Sequence, residues 1–492
     1  MSEDLSAEHE RLGLAVVEII KSYARSLDQR SVASEATPDE LERLFDEPLP
    51  RAGMDALEIL ERFERDVEPH AMQIPSPRYY GLFNPTPLPI AVWADALASA
   101  INQNGAAWRN SPSANIIEAR VLRWLCELIG YNHQASFGTL TSGGSEANLI
   151  ALKCARDRAS ARARDEGLRA GGLDLVVYAS EQCHYSLVKS VDILGLGRNS
   201  LRKVATDDNF QIRTDALRAL IELDVREGRK PCCIAGAAGA TSTGIVDPLD
   251  QLAELAREYD CWFHVDAAYG GALAFSDRHR GLLAGIERAD SITIDPHKWM
   301  FVPFECGAVL MREGARVLRD GFDITPEYLS EERGHLSGRD VEYDFFRYGQ
   351  LGTRRFNALK IWMALKHLGV RGYASIIERQ IELANYLAAR IEKLEDFRLI
   401  GTVHTAVCCF RFMPQSARAL DGAAIDRLQM ALQQRIERSG AAWFSTTVLH
   451  GRRALRVNIN SFLTERRHID DLLELLKREG DHLMRETETS SK

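Results

Sequence analysis

The chain has 492 residues and a mass of 55.1 kDa, too long for one hydrophobic core, so two or three domains are expected. Hydrophobic residues make up 45% and charged residues 27%, which excludes a disordered or fibrous chain. Acidic residues outnumber basic ones 70 to 61, a formal charge of −9, which leaves no electrostatic footprint for nucleic acid or an anionic membrane.

The first ninety residues are helical in pattern. Leu12, Val16, Ile19 and Ile20 recur at helical spacing, as do Leu41, Leu44 and Phe45, and then Leu57, Leu60 and Phe63. The N-terminus, MSEDLSAEHERLG, reads as neither a signal nor a transit peptide, and no apolar run approaches the ~20 residues needed to span a bilayer. The stretch Ile74–Pro89 carries five prolines in sixteen residues and is expected to be a loop, with interleaved aromatics suited to binding.

From about residue 115 strands alternate with helices. A helix over Ala114–Ile129 precedes a glycine-rich turn at Thr141 and a helix reaching Arg164. Strands are expected at Leu173–Ala179, Cys232–Ala238, Cys261–Asp266, Ser291–Ile294 and Cys306–Met311, with helices Thr214–Arg226 and Pro248–Tyr259 among them. This is the pattern of an α/β domain with a largely parallel sheet, which places ligands at the carboxyl ends of its strands. Helices at Arg354–Leu368 and Val370–Leu394 lead into runs Ala406–Phe412 and Ala454–Ile459, a helix near Ala423–Ser439 and a closing helix Arg467–Arg485, together a small α+β domain. The resulting division is an N-terminal helical segment 1–90, a large α/β domain 91–368 and a small α+β domain 369–492. Nine cysteines without a Cys-x-x-Cys pair suggest no disulfide framework and no metal site, and Cys232–Cys233 and Cys408–Cys409 read as core residues of a reducing compartment. A cytoplasmic protein is expected.

Four segments could carry chemistry. Thr141-Ser-Gly-Gly-Ser-Glu-Ala-Asn148 opens a helix; its glycines let backbone approach an anion and Ser145 adds a hydroxyl, although such turns also serve merely as helix caps. His184 follows a strand, where it could stack on a flat ligand or be structural. Asp266 ends an apolar strand, and a carboxylate there needs a cation or hydrogen bonds unless it only caps the next helix. Lys298, in Asp295-Pro-His297-Lys298-Trp, closes another apolar strand, where apolar surroundings would make it a nucleophilic amine, although taken alone the segment reads as readily as a surface lysine on a turn. Together, a phosphate cradle, a ring partner, a strand-end Asp and a strand-end Lys are the parts that pyridoxal 5'-phosphate requires.

These segments resemble those of the group II pyridoxal-phosphate-dependent amino acid decarboxylases; His-Val-Asp-Ala-Ala-Tyr and Pro-His-Lys-Trp match the family signature, and the similarity runs from about Pro75 to Leu368. The resemblance implies a fold type I architecture and an obligate homodimer with active sites at the subunit interface. It implies that Lys298 forms the Schiff base with the cofactor, Asp266 meets the ring nitrogen, and His184 stacks on the ring. Gly144 and Ser145 would bind phosphate, Thr241 and Ala268 would line the cofactor, and Asp295 and His297 would flank the phosphate side. Better-known animal members carry Asn where this chain has Asp295, and a carboxylate beside a phosphate would repel it. Asp323-Ile-Thr-Pro-Glu-Tyr328-Leu resembles the catalytic loop whose tyrosine protonates the α-carbon after carbon dioxide departs; related aldehyde synthases replace it with Phe, so Tyr328 favours simple decarboxylation.

For substrate, Tyr79, Tyr80, Phe83 and Asn84 match the family's substrate-side loop. In Gly105–Pro112 the chain has Ala106 where aromatic amino acid decarboxylases carry Phe, and Arg109 is positioned either for an acidic side chain or for a structural carboxylate. The expected activity is decarboxylation of an L-amino acid, an aromatic or indolic one first. The alternatives are an acidic amino acid decarboxylase, an aldehyde-forming decarboxylase, a carbon–carbon lyase of the same fold, and last a non-catalytic scaffold.

Overall fold

The computed structural model describes residues 2–132, 134–168, 172–324 and 343–490. In chain order the described strands are β1 Tyr79–Tyr80, β2 Phe137–Thr141, β3 Leu175–Ser180, β4 Leu201–Val204, β5 Lys230–Ala237, β6 Trp262–Asp266, β7 Ser291–Ile294, β8 Gly307–Met311, β9 Phe397–Ile400, β10 Val407–Phe412, β11 Trp443–Leu449 and β12 Arg452–Asn458. The chain groups into two units. One gathers Met1–Thr86, Asn385–Ile400 and Cys409–Lys492; the other is Pro87–Ala384 with Gly401–Cys408.

The larger unit is built on a seven-stranded sheet of order β2-β8-β7-β6-β5-β3-β4. Its strands pair in parallel except that β8 is antiparallel to both β7 and β2, so six strands point the same way. The strands β2, β3, β7 and β8 are buried along their whole length, as expected for a sheet covered on both faces. The helix Gly144–Ala159 packs across β5, β6, β7 and β8 and buries Ala147, Ile150, Ala151, Leu152 and Cys154. The helix Pro112–Ile129 ends on Gly130 at φ 93°, a left-handed cap that glycine adopts without strain. The strands and helices read from the sequence in this region are present within a few residues. Elements that escaped it include β2, whose Gly and two Thr dilute the apolar signal, the edge strand β4, and the short helices Tyr185–Ile193 and Gly314–Phe322. The sequence break between two helices at Gly369 is also present: the run Ala358–Lys393 is interrupted there by φ 62°.

The smaller unit carries a five-stranded sheet, β1-β11-β12-β10-β9, with helices Gly422–Arg438 and Arg466–Ser490. The β11–β12 hairpin turns through His450 and Gly451, both at positive φ, the mirror-type turn whose twist suits a two-residue hairpin. The proline-rich stretch is not loop throughout: Tyr79 and Tyr80 pair in parallel with Trp443 and Phe444, and Tyr79 stacks on Trp443 at 5.3 Å. N-terminal sequence thus supplies an edge strand to a sheet otherwise made by the C-terminal region. The helix Pro38–Phe45 begins with a capping box, in which Thr37 accepts from Glu40 N and Glu40 from Thr37 N.

Candidate active site

At the carboxyl ends of β2, β6 and β7 the larger unit brings together the turn Thr141–Ser145, Asp266 and the segment Asp295–Lys298. The turn is tied by its own side chains. Ser142 N and Oγ donate to Glu146 at 2.7 and 2.9 Å, and Thr141 Oγ1 donates to Gly143 O at 3.1 Å. This closure leaves the first backbone N–H groups of the Gly144–Ala159 helix at the mouth of the site, where the helix dipole favours an anion. Glycine is needed here for room: a Cβ on Gly144 would lie 2.8 Å from Asp295 Oδ2, and one on Gly143 3.2 Å from His297 Cε1. Ser142, Ser145, Glu146, Ser186 and Lys189 line an adjoining cavity of about 330 Å³.

Lys298 and Asp295 form an ion pair of 2.9 Å, with Lys298 19% and Asp295 2% exposed. The Asp295 N–H donates to Ala268 O, so the Asp295 turn is fastened to the loop after β6. His297 Nδ1 accepts from Cys306 N at 3.0 Å, leaving Nε2 as the protonated nitrogen of the neutral ring, 3.8 Å from Asp295 Oδ2. Burial pulls the His297 imidazole below its ordinary value, against the attraction of Asp295. Asp266 accepts from Asn148 Nδ2 at 2.8 Å and from Ala268 N at 3.2 Å, which satisfies the requirement that a strand-end carboxylate find donors. His184 caps the helix Tyr185–Ile193, its Nδ1 facing Ser186 Oγ at 2.8 Å. Burial likewise lowers the His184 imidazole, with Asp266 acting in the opposite sense and Lys298 adding to the shift.

Of the residues singled out in the sequence, Gly144, Ala268, Asp295 and His297 thus meet around Lys298, with Asp266 and His184 linked into the same region by side-chain hydrogen bonds. Ser145 and Thr241 are exposed. Ala106 is buried on the same unit, its carbonyl accepting from Phe346 N, and Arg109 is exposed on the short turn Trp108–Asn110. Tyr80, Phe83 and Asn84 belong to the smaller unit. There Tyr80 requires a correction: it has no exposed surface and its hydroxyl donates to His468 O at 2.9 Å, so it is a core residue rather than part of a substrate wall. Arg456 covers the Phe83 ring at 4.9 Å, and Asn84 donates to Tyr79 Oη at 3.3 Å. Tyr328 lies outside the described residues.

Two polar residues escaped the sequence reading. Asn148, one turn into the helix and 1% exposed, fills every hydrogen-bonding position of its amide. His264 lies two residues before Asp266 and therefore on the same face of β6, a spacing that could have flagged it.

The residues fit pyridoxal 5'-phosphate. Gly144 leaves the space a Cβ would fill, the helix start offers N–H donors, Lys298 supplies an amine and Asp266 a braced carboxylate. Asp295 is the exception: its Oδ1 is buried without a hydrogen-bond partner, and its charge faces the cradle. A carboxylate so placed opposes a phosphate and instead pairs with the Lys298 amine.

Residues 38–413 match the family described as pyridoxal-dependent decarboxylase conserved domain. An aromatic-L-amino-acid decarboxylase of Bacillus atrophaeus is 33% identical over 461 residues, covering 93% of each chain. An acidic amino acid decarboxylase of Bos taurus is 30% identical over 409 residues, 82% of this chain and 77% of that one. Among solved structures, Oryza sativa TDC with PLP and tryptamine superposes with a TM-score of 0.90 at 27% identity, covering 97% of this chain and 99% of the other.

Proposed function

The chain belongs to the pyridoxal-dependent decarboxylase family and is a carboxy-lyase that uses pyridoxal 5'-phosphate, and we propose that its substrate is an aromatic or indolic L-amino acid, released as the corresponding amine and carbon dioxide. The observation that carries the substrate class is the 33% identity, over 93% of each chain, with the Bacillus atrophaeus aromatic-L-amino-acid decarboxylase. Tryptamine in the rice structure supports an indolic side chain among the candidates.

When bound, the cofactor supplies an electron sink for the pair released as the carboxylate leaves. The chain's own groups do the rest. The N–H groups at the Gly144 helix start and the Ser145 hydroxyl would hold the phosphate, and the Asp266 carboxylate would meet the ring nitrogen. His184 would hold the ring by stacking. Lys298 provides the amine that attaches the cofactor, and Asp295 keeps that amine placed. Thr241 and His297 would flank the ring and phosphate. Tyr328 Oη delivers a proton to the α-carbon, the step that commits the reaction to an amine rather than an aldehyde.

Ala106 shapes the side-chain end of the substrate on the larger unit. The enzyme works as a cytoplasmic homodimer whose active sites lie at the subunit interface, with the 1–90 segment packing on the partner. Among the described residues no helix is long and apolar enough to cross a membrane.

The test is incubation of purified protein with pyridoxal phosphate and a pool of L-amino acids under air, with products identified by mass spectrometry. One new aromatic amine is the expected result. A second reading, an acidic substrate, draws on the Bos taurus relative and on the small Ala106 side chain; it predicts loss of an acidic amino acid from the same pool. Formation of an aldehyde with hydrogen peroxide would overturn the role given to Tyr328.

A further inference from the structure

Asp266 and His184 lie on different elements, one at the end of β6 and the other ahead of the Tyr185–Ile193 helix. A single buried amide bonds to Asp266 and to the hydrogen-bond partner of His184. Asn148 Nδ2 donates to Asp266 Oδ2 at 2.8 Å and to Ser186 Oγ at 2.8 Å. Its Oδ1 accepts from Thr293 Oγ1 at 2.7 Å and from His264 Nε2 at 3.0 Å.

The direction of every proton in this chain follows from chemistry. A carboxylate only accepts, so Asn148 must turn its NH₂ toward Asp266 and its oxygen toward His264. His264 must then donate from Nε2. Its other nitrogen faces Ser291 Oγ at 2.9 Å, and Ser291 Oγ in turn accepts from Trp262 Nε1 at 2.7 Å. On the other side, Ser186 Oγ takes an Asn148 hydrogen and lies 2.8 Å from His184 Nδ1, to which it donates because that nitrogen already accepts from a backbone N–H. The Ser186 backbone N–H points at the same nitrogen at 3.3 Å. His184 is therefore fixed with Nδ1 as acceptor and its proton on Nε2.

We propose that Asn148 is a positioning residue for the reaction: one amide holds the Asp266 carboxylate in place and, through Ser186, sets which nitrogen of His184 carries the proton. The inference rests on the roles given above to Asp266 and His184. It accounts for a fully saturated polar side chain on the buried face of a helix, where an apolar residue would otherwise pack at lower cost.

The variant Asn148→Asp keeps the shape and both acceptor contacts but replaces the two donors with a second carboxylate against Asp266. It is expected to weaken cofactor binding about tenfold to a hundredfold, the range for losing a hydrogen bond to a charged group, as read by equilibrium dialysis of the holoenzyme. The visible absorbance and circular dichroism of the bound cofactor should shift with it. Ser186→Ala cuts only the arm to His184; it should hold the cofactor within about tenfold of the parent while lowering kcat. Should the added charge prevent folding, Asn148→Ala takes its place with the same expected loss. Asp266→Asn and His184→Ala are measured alongside. If these two lose cofactor or turnover while the Asn148 variant matches the parent in affinity and spectrum, the positioning role is wrong. If Asp266→Asn and His184→Ala themselves match the parent, it is the underlying assignment of the site that fails.

Discussion

His264 offers a prediction whose size can be worked from its surroundings. The ring is fully buried, and burial pulls its pKa from the usual 6.5 to about 4, although Asp266 and the Ser291 carbonyl both act to raise it. The folded protein thus keeps this histidine neutral over a range where the unfolded chain protonates it. Between pH 6.5 and 4 the unfolded state binds the extra proton, so stability falls as the pH is lowered. Going from pH 7 to pH 5, the loss assigned to this one group is about 2 kcal/mol. For a unit of this size that corresponds to roughly 3–4 °C in the midpoint of thermal unfolding. His264→Gln removes the titration and retains an N–H for Asn148 Oδ1. The measurement compares parent and variant, each saturated with cofactor, at the two pH values. The variant should start lower at pH 7 and lose about 2 kcal/mol less on acidification. The other histidines lowered by burial, His184, His279, His297, His404 and His468, act in the same direction in both proteins and cancel in the comparison. Equal acid losses in the two proteins would refute the assignment of a neutral, buried His264.

Three further outcomes follow from the geometry. Gly144→Ala places a methyl 2.8 Å from Asp295 Oδ2 and must displace either that carboxylate or the helix start, so cofactor retention on gel filtration should fall sharply while the fold survives by circular dichroism. Glu118 and Arg354 form an ion pair in which each side chain is 5% exposed; burial raises the Glu118 carboxyl and Arg354 opposes it. Arg354→Met strands that charge and should cost about 3–5 kcal/mol in unfolding free energy, with Glu118→Gln added in the same chain recovering a large part of it. Tyr328→Phe should abolish amine formation with the cofactor still bound, and an unchanged amine yield would remove that hydroxyl from the reaction.

Much of this site is legible in the sequence because its parts occupy strand ends, where an apolar run stops abruptly at a polar residue. Val265–Asp266 and Ile294–Asp295 show that break plainly, and in a parallel sheet such breaks fall on one edge. The Lys298 pairing with Asp295 follows from a spacing of three residues in a tight turn. Pattern fails where a residue's partner is distant in sequence. Tyr80 looks like a binding aromatic because it lies in a proline-rich stretch, yet what claims it is His468, nearly four hundred residues on. The same stretch became strand because Trp443 and Phe444 offered it an edge, and β11 itself, Trp-Phe-Ser-Thr-Thr-Val-Leu, carries too many hydroxyls to announce a strand alone.

Asn148 shows the limit most clearly. On a helical wheel it is an ordinary small polar residue near an N-terminus, where Asn is common and needs no explanation. Its meaning depends on three other segments: Asp266 and His264 on β6, Thr293 on β7, and Ser186 behind His184. None of those contacts is local, and each alone would read as a satisfied buried group. Only their convergence on one amide, with all four of its hydrogen-bonding positions taken and every proton direction forced, distinguishes a coupling element from packing. The sequence does hold one trace of it. His264 and Asp266 alternate onto one face of a buried strand, and two ionisable groups on such a face require a polar partner from whatever covers the sheet. The helix that meets His264 and Asp266 on that face is the one that starts at Gly144, and its only asparagine is Asn148.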